Sequence, residues 1–177
     1  MNAFPRDLTN LTPEEALRLL DSANKELAER HLAEFIKQAW RYLDPAPYIH
    51  GWHIDAVAEH LEAVSRGEIR HLIINQPPRT MKSITTSVAW TAWAWAQKTD
   101  LDYPLLGPGV QFLTASYAQS LSTRDSVKSR RLIESPWYQK HWGDRFRLTG
   151  DQNTKMRFEN DKGGYRLATS VGGALTG

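Results

Sequence analysis

Apolar and polar positions along the chain change period several times, and each change marks an element. Leu17, Leu20, Leu27, Phe35, Ile36 and Trp40 recur at helical spacing, with room for one break among them. Thr12-Pro13-Glu14-Glu15 is a helix start: Thr12 as cap, Pro13 at the first helical position, Glu15 where a capping box requires it. Asp44-Pro45-Ala46-Pro47 stops the pattern, because proline cannot continue the hydrogen-bond ladder. Residues 1–44 therefore read as an N-terminal helical arm and 45–177 as the main domain. Ile54, Val57, Ala58, Leu61 and Val64 make a second amphipathic helix, closed by Arg66-Gly67.

The period then shortens. His71-Leu72-Ile73-Ile74-Asn75 is a short isoleucine-rich run that suits a buried strand of a parallel sheet. A tight loop, Gln76 to Met81, leads into a helix from Lys82 to about Gln97. Val110 to Ala115 predicts another strand and Ala118 to Glu134 another helix, stopped by Ser135-Pro136. Met156 to Glu159 and Tyr165 to Thr169 flank Asn160-Asp161-Lys162-Gly163-Gly164, a hairpin pattern. Strand, loop, helix, strand, helix is the order of an α/β fold with a parallel sheet.

Composition adds limits. The 177 residues suffice for one α/β domain with a sizeable core. The formal net charge of +2 does not by itself call for nucleic acid, so any such contact needs a local basic patch. With no cysteine there is no disulfide, thiol catalysis or Cys-based zinc site. No run approaches the roughly 18 apolar residues of a membrane helix, and Met1 to Leu11 lacks a secretory pattern. His50 and His53 are three apart without a third metal ligand nearby, and no Ser-His-Asp or Cys-His set is present. The seven tryptophans suggest large buried or interfacial surfaces. Trp90 and Trp93 share a helix face while Trp95 points elsewhere; core packing is the first reading for all three, and a second surface for a neighbouring subunit or a further domain is the alternative for Trp95.

Gln76-Pro77-Pro78-Arg79-Thr80-Met81-Lys82-Ser83 lies between the isoleucine strand and its helix, where a phosphate-binding loop belongs. Backbone N–H groups at that helix start would face phosphates. Lys82 would reach the β- and γ-phosphates, and the Ser83 hydroxyl would hold Mg2+. Gln76 and Met81 replace the two glycines of the general G-x-x-x-x-G-K-[ST] pattern. Met81 must therefore do without the freedom that glycine gives a backbone near a phosphate.

The run Leu72 to Ser83 resembles the deviant phosphate loop of phage terminase large subunits, in which a proline pair and an arginine precede Lys-Ser. Several other segments resemble that family in the same order. They are His50-Gly51-Trp52-His53, Leu113 to Tyr117, Ser129 to Ile133 with Ser135 to Tyr138, Phe158 to Arg166, and Ser170 to Gly177. The resemblance covers roughly residues 48–177. It implies a three-layer P-loop fold of the additional-strand ATPase kind, here incomplete, that binds ATP and Mg2+ to power packaging of double-stranded DNA. The implied partners are the portal protein, the small terminase subunit and further copies in a homo-oligomeric ring, in the cytoplasm of an infected bacterium.

Under that resemblance Arg79 senses or stabilises the γ-phosphate, and Gln76, Pro77, Pro78, Thr80 and Met81 shape the cradle. Tyr48, Trp52 or His53 would contact adenine, although Trp52 also suits a core position at its helix start. Lys128, Arg130 and Arg131 would face DNA phosphates. The acidic strand that follows the glycine segment in the family, which carries the Walker B acids, has no counterpart here, nor has the nuclease domain. The expectation is a chain that does not turn ATP over alone and whose unpaired strand edge favours association. The rival readings are a non-catalytic nucleotide- or DNA-binding piece that needs a partner chain, and another P-loop motor such as a helicase.

Overall fold

The computed structural model describes residues 11–99, 103, 105–150 and 154–172. Among them the chain is mixed α/β, with six α-helices, one π-helical turn and a small three-stranded mixed sheet.

Helix α1, Pro13–Arg30, begins with the anticipated capping box: Thr12 Oγ1 accepts from the Glu15 amide (3.2 Å) and Glu15 accepts from the Thr12 amide (2.9 Å). The Thr12 amide, with the Thr12 hydroxyl donating alongside it (2.8 Å), holds the Glu15 carboxyl below its ordinary range. The chain turns extended at His31 and restarts as α2, Leu32–Leu43. His31 supplies no side-chain cap. The Leu32 amide instead donates to Glu62 of α3, Trp52–Ser65, at 2.6 Å. Burial pushes the Glu62 carboxyl up, and the Leu32 amide pulls it back down.

Leu32, Phe35, Ile36, Ala39 and Leu43 form the buried stripe of α2. The segment read as an arm thus contributes its second helix to the common core. Phe35 is enclosed by three aromatics of α6, Pro136–Trp142: Trp137 (5.3 Å between ring centroids), Tyr138 (6.3 Å) and Trp142 (5.5 Å). Ser135 caps α6 through the Tyr138 amide, and Pro136 occupies its first turn.

The helix after the Gln76–Met81 loop has a π segment, Ile84–Ala89, followed by α4, Trp90–Trp95. Trp95 is fully buried, against Phe146 (5.4 Å) and Phe158 (5.6 Å), and its indole N–H donates to the Val110 carbonyl at 2.8 Å. Core packing therefore holds for Trp95, and the alternative of a surface for another chain falls. Trp93 donates to Ala28 O (3.0 Å) and the Tyr138 hydroxyl to Ala92 O (2.8 Å), so these buried polar tips are satisfied.

Strands β1 (Phe112–Ser116), β2 (Arg157–Glu159) and β3 (Tyr165–Ser170) pair in the order β1-β3-β2. β1 runs parallel to β3, Phe112 opposite Arg166, and β2 is antiparallel to β3. Asn160 organises the hairpin: its side-chain oxygen accepts from the Lys162 and Gly164 amides while its nitrogen donates to Pro108 O. Gly163 takes φ +80, which favours glycine, and a Cβ on Gly164 would fall 2.0 Å from Pro108 O, which leaves no room for a side chain there. Helix α5, Gln119–Glu134, covers one face of the sheet. On the other face Leu113 is 57% exposed.

The expected strand at 71–75 is extended but joins no ladder among the described residues. It keeps the alternation of a strand: Leu72 and Ile74 lean on the core while Ile73 is 87% exposed. A strand is defined by its partners, and β1 pairs on its described side with β3.

Phe35→Ala is expected to cost about 3–5 kcal/mol, because an enclosed ring leaves a cavity that neighbours only partly fill. Leu17→Ala, at a position 67% exposed, should change stability by about 0.5 kcal/mol or less. Urea unfolding of both variants checks the contrast.

Candidate functional site

The loop from Asn75 to Ser83 turns the extended segment into a helix that begins at Lys82. Two residues within it adopt left-handed backbone, Arg79 at φ 67 and Met81 at φ 63. Such values cost a non-glycine residue about 1–2 kcal/mol each. Met81 therefore takes up the conformation that the general pattern assigns to glycine. Its side chain packs against the hydrophobic core, which offsets that strain. The Thr80 hydroxyl donates to Pro77 O (2.7 Å) and closes the turn, and the Thr85 amide donates to Met81 O (2.9 Å) as an early helical bond.

Lys82 is exposed, and its Nζ reaches back 3.4 Å to the Gln76 carbonyl. That length is at the weak end of the hydrogen-bond range, so an anion can compete for the ammonium at small cost. Ser83 is exposed at the helix start. The Gln76 side-chain oxygen is a buried acceptor that lacks a donor among the described residues. Left-handed turns next to helical residues gather N–H groups into anion-binding concavities, and the helix start adds its partial positive charge.

Beside the loop lies a cleft of about 470 Å³ between α3 and the extended segment. Its lining is apolar, with Val57, Leu72 and Ile74 in its walls, and it shares Gln76, Pro77 and Thr80 with the loop. Trp52 and His53 both line it. Trp52, 80% exposed, stands at its rim and is not the core residue that its helix-start position suggested. Arg79, Met81, Lys82 and Ser83 do not line this cleft. Pro78 is exposed on the loop and is likewise outside it.

His60 joins the cleft unforeseen. Its spacing of seven from His53 puts both on one face of α3, and that was the available signal. His60 Nδ1 lies 2.6 Å from Ala56 O, a carbonyl that can only accept, so Nδ1 is the donor there. Tyr48 lies elsewhere, 5.6 Å from the Trp40 ring, with its hydroxyl 3.1 Å from His50 Nδ1; His50 Nε2 in turn meets Asp55 (2.8 Å).

The basic residues of α5 separate. Lys128 and Arg131 share a shallow groove with Arg124 and Lys155. Arg124, Lys128 and Arg131 are spaced four and three apart, which defines one helix face. Arg130 is outside the groove, with a contact to Thr154 O (3.4 Å) and an ion pair with Glu134 (3.9 Å). Arg124 also pairs with Asp125 (2.9 Å).

No protein-family model, curated protein or solved structure matches the chain.

At position 79 the left-handed backbone ranks substitutions. Arg79→Gly should be more stable than Arg79→Val by about 1–2 kcal/mol, because a β-branched residue tolerates positive φ worst. Thermal unfolding of the pair reads this, and equal stabilities would mean that the loop is not held left-handed.

Proposed function

We propose that this chain grips the triphosphate of ATP-Mg through the Gln76–Ser83 turn, as the ATPase portion of a phage terminase large subunit does. The observation that carries the reading is the pair of left-handed residues, Arg79 and Met81, delivering the chain into a helix that opens with Lys82-Ser83. Strained non-glycine backbone persists where the surrounding structure enforces it, and such places cluster at ligand clamps. The residues present fit a polyphosphate, since an exposed ammonium, a hydroxyl and a helix start converge on one turn.

In this reading Lys82 exchanges its weak Gln76 contact for phosphate oxygens, Ser83 offers its hydroxyl to Mg2+, and Arg79 reaches towards the γ-phosphate. The metal ion would supply charge neutralisation at the phosphate oxygens. Trp52, His53 and His60 line the cleft that takes the base: an apolar slot with an indole at its rim and two imidazoles in its lining. The finer fold is the additional-strand, three-layer P-loop arrangement. The wider setting is packaging of double-stranded DNA with the portal protein and the small terminase subunit. Further copies would form a ring, in the cytoplasm of an infected bacterium.

The groove of Arg124, Lys128, Arg131 and Lys155 is the candidate surface for the DNA backbone, with Arg130 removed from the set. Four cations on one shallow face suit phosphates read without regard to sequence. The same groove favours the second reading, a nucleic-acid-binding piece without its own catalysis.

Titration with a non-hydrolysable ATP analogue and Mg2+ tests the main reading. Lys82→Ala should weaken binding at least tenfold, since a charged contact to phosphate is lost; equal affinity, or no binding by the unsubstituted chain, would reject it. For the groove, Lys128→Ala and Arg131→Ala should each lower the slope of log affinity for duplex DNA against log salt by about 0.9. Arg130→Ala should change it less.

A further inference from the structure

The helix after the phosphate loop does not keep one register. From Ile84 to Ala89 it is π-helical, and the Trp90 amide donates five residues back to Thr85 O. It becomes an ordinary α-helix from Trp90 to Trp95, where Trp93 and Trp95 are buried. A π turn inserts one residue relative to an α-helix, which amounts to about 100° of rotation about the axis. Lys82 and Ser83 precede the insertion, and the anchored tryptophans follow it. The π turn therefore sets the direction in which Lys82 and Ser83 face.

Two side chains from other elements donate to consecutive carbonyls of this turn. Arg166 of β3 gives Nη2 to Ser87 O at 2.8 Å, and Ser129 of α5 gives its hydroxyl to Val88 O at 3.1 Å. Within the helix, the Thr86 hydroxyl back-bonds to Lys82 O at 2.9 Å, a contact that bends helices. Arg166 is a costly choice for such a place. It is fully buried, and its Nε and Nη1 have no partner among the described residues. Burial pulls its pKa down to about 10 against the opposing charge of Asp125. A buried guanidinium with unused donors is poor value for stability, and an apolar side chain of similar volume would commonly serve better. What an apolar side chain could not do is hold Ser87 O.

We propose that Arg166 and Ser129 are positioning residues that pin the π turn and thereby set the rotational phase of Lys82 and Ser83 against the buried Trp93–Trp95 helix. The purpose of that phase rests on the phosphate-loop reading; the register itself does not. β3 and α5 thus reach the loop through one wide helical turn, without touching the nucleotide.

The test is made on the full chain with Arg166→Met, Arg166→Lys and Ser129→Ala. The acceptor of the Trp90 amide is read by through-hydrogen-bond NMR coupling. Arg166→Met should move that coupling from the Thr85 to the Thr86 carbonyl, the α-helical acceptor, whereas Arg166→Lys, which keeps a donor, should leave it at Thr85. A coupling that stays at Thr85 in Arg166→Met overturns the proposal. Should Arg166→Met not fold, Ser129→Ala decides, because it removes only one oxygen. Hydrogen-exchange protection of the Trp90 amide should then fall at least fivefold, and unchanged protection overturns the proposal. Affinity for the ATP analogue, measured alongside, should fall about tenfold in Arg166→Met. Absence of binding by the unsubstituted chain would defeat the nucleotide reading while the register result stood on its own.

Discussion

The left-handed backbone at Met81 is the constraint on which the rest of the site depends. A glycine there would adopt the same turn without strain but would tie the loop to nothing. Met81 accepts the strain and sends its side chain into the core, so the loop's shape is fixed by packing as well as by its own hydrogen bonds. The following residue, Lys82, is thereby presented at the surface with a weak tether to Gln76 O. If the turn grips an anion as proposed, it is preorganised for it, because ordering the loop is not left to the ligand.

That anchoring works only if the core beneath it is rigid, and the aromatic residues provide this. Phe35 of α2 lies among Trp137, Tyr138 and Trp142, and Tyr138 in turn holds the Ala92 carbonyl of α4. Trp93 ties α4 to the end of α1 through Ala28 O, and Trp95 ties it to Val110 just before β1. The helix leaving the Gln76–Met81 loop is thus clamped at its far end from three sides. Any rotation at its near end must be absorbed in the π turn, where Arg166 and Ser129 make their contacts.

Much of the architecture was legible because it rests on local signals. The Thr12–Glu15 box, the apolar stripe of α3, the Ser135-Pro136 stop and the Asn160–Gly164 turn are patterns over a few residues, and each is found where the pattern lies. What failed depends on distant neighbours. Apolar spacing cannot separate a π turn from an α turn when the insertion is a single residue within Thr85–Val88. The 71–75 run has the composition of a strand, but only partners make a ladder. Trp52 suited the core by residue type yet stands exposed at a cleft rim, whereas for Trp95 helical phase left a surface role open and only packing shows the core. The position of a loop before a helix was legible at Gln76–Met81, but its two left-handed residues were not, since neither Arg79 nor Met81 favours that conformation. In the groove, Lys155 joins the α5 cations from a hairpin approach far away in sequence, and helix phase removes Arg130.

The most direct test of the account is the response of backbone amide NMR shifts to inorganic triphosphate with Mg2+, which carries no base and so isolates the grip on phosphate. The account expects the largest shifts at residues 79–83, with smaller ones along the π turn. Saturable shifts centred on the α5 groove instead, or none at residues 79–83 at millimolar ligand, would contradict it.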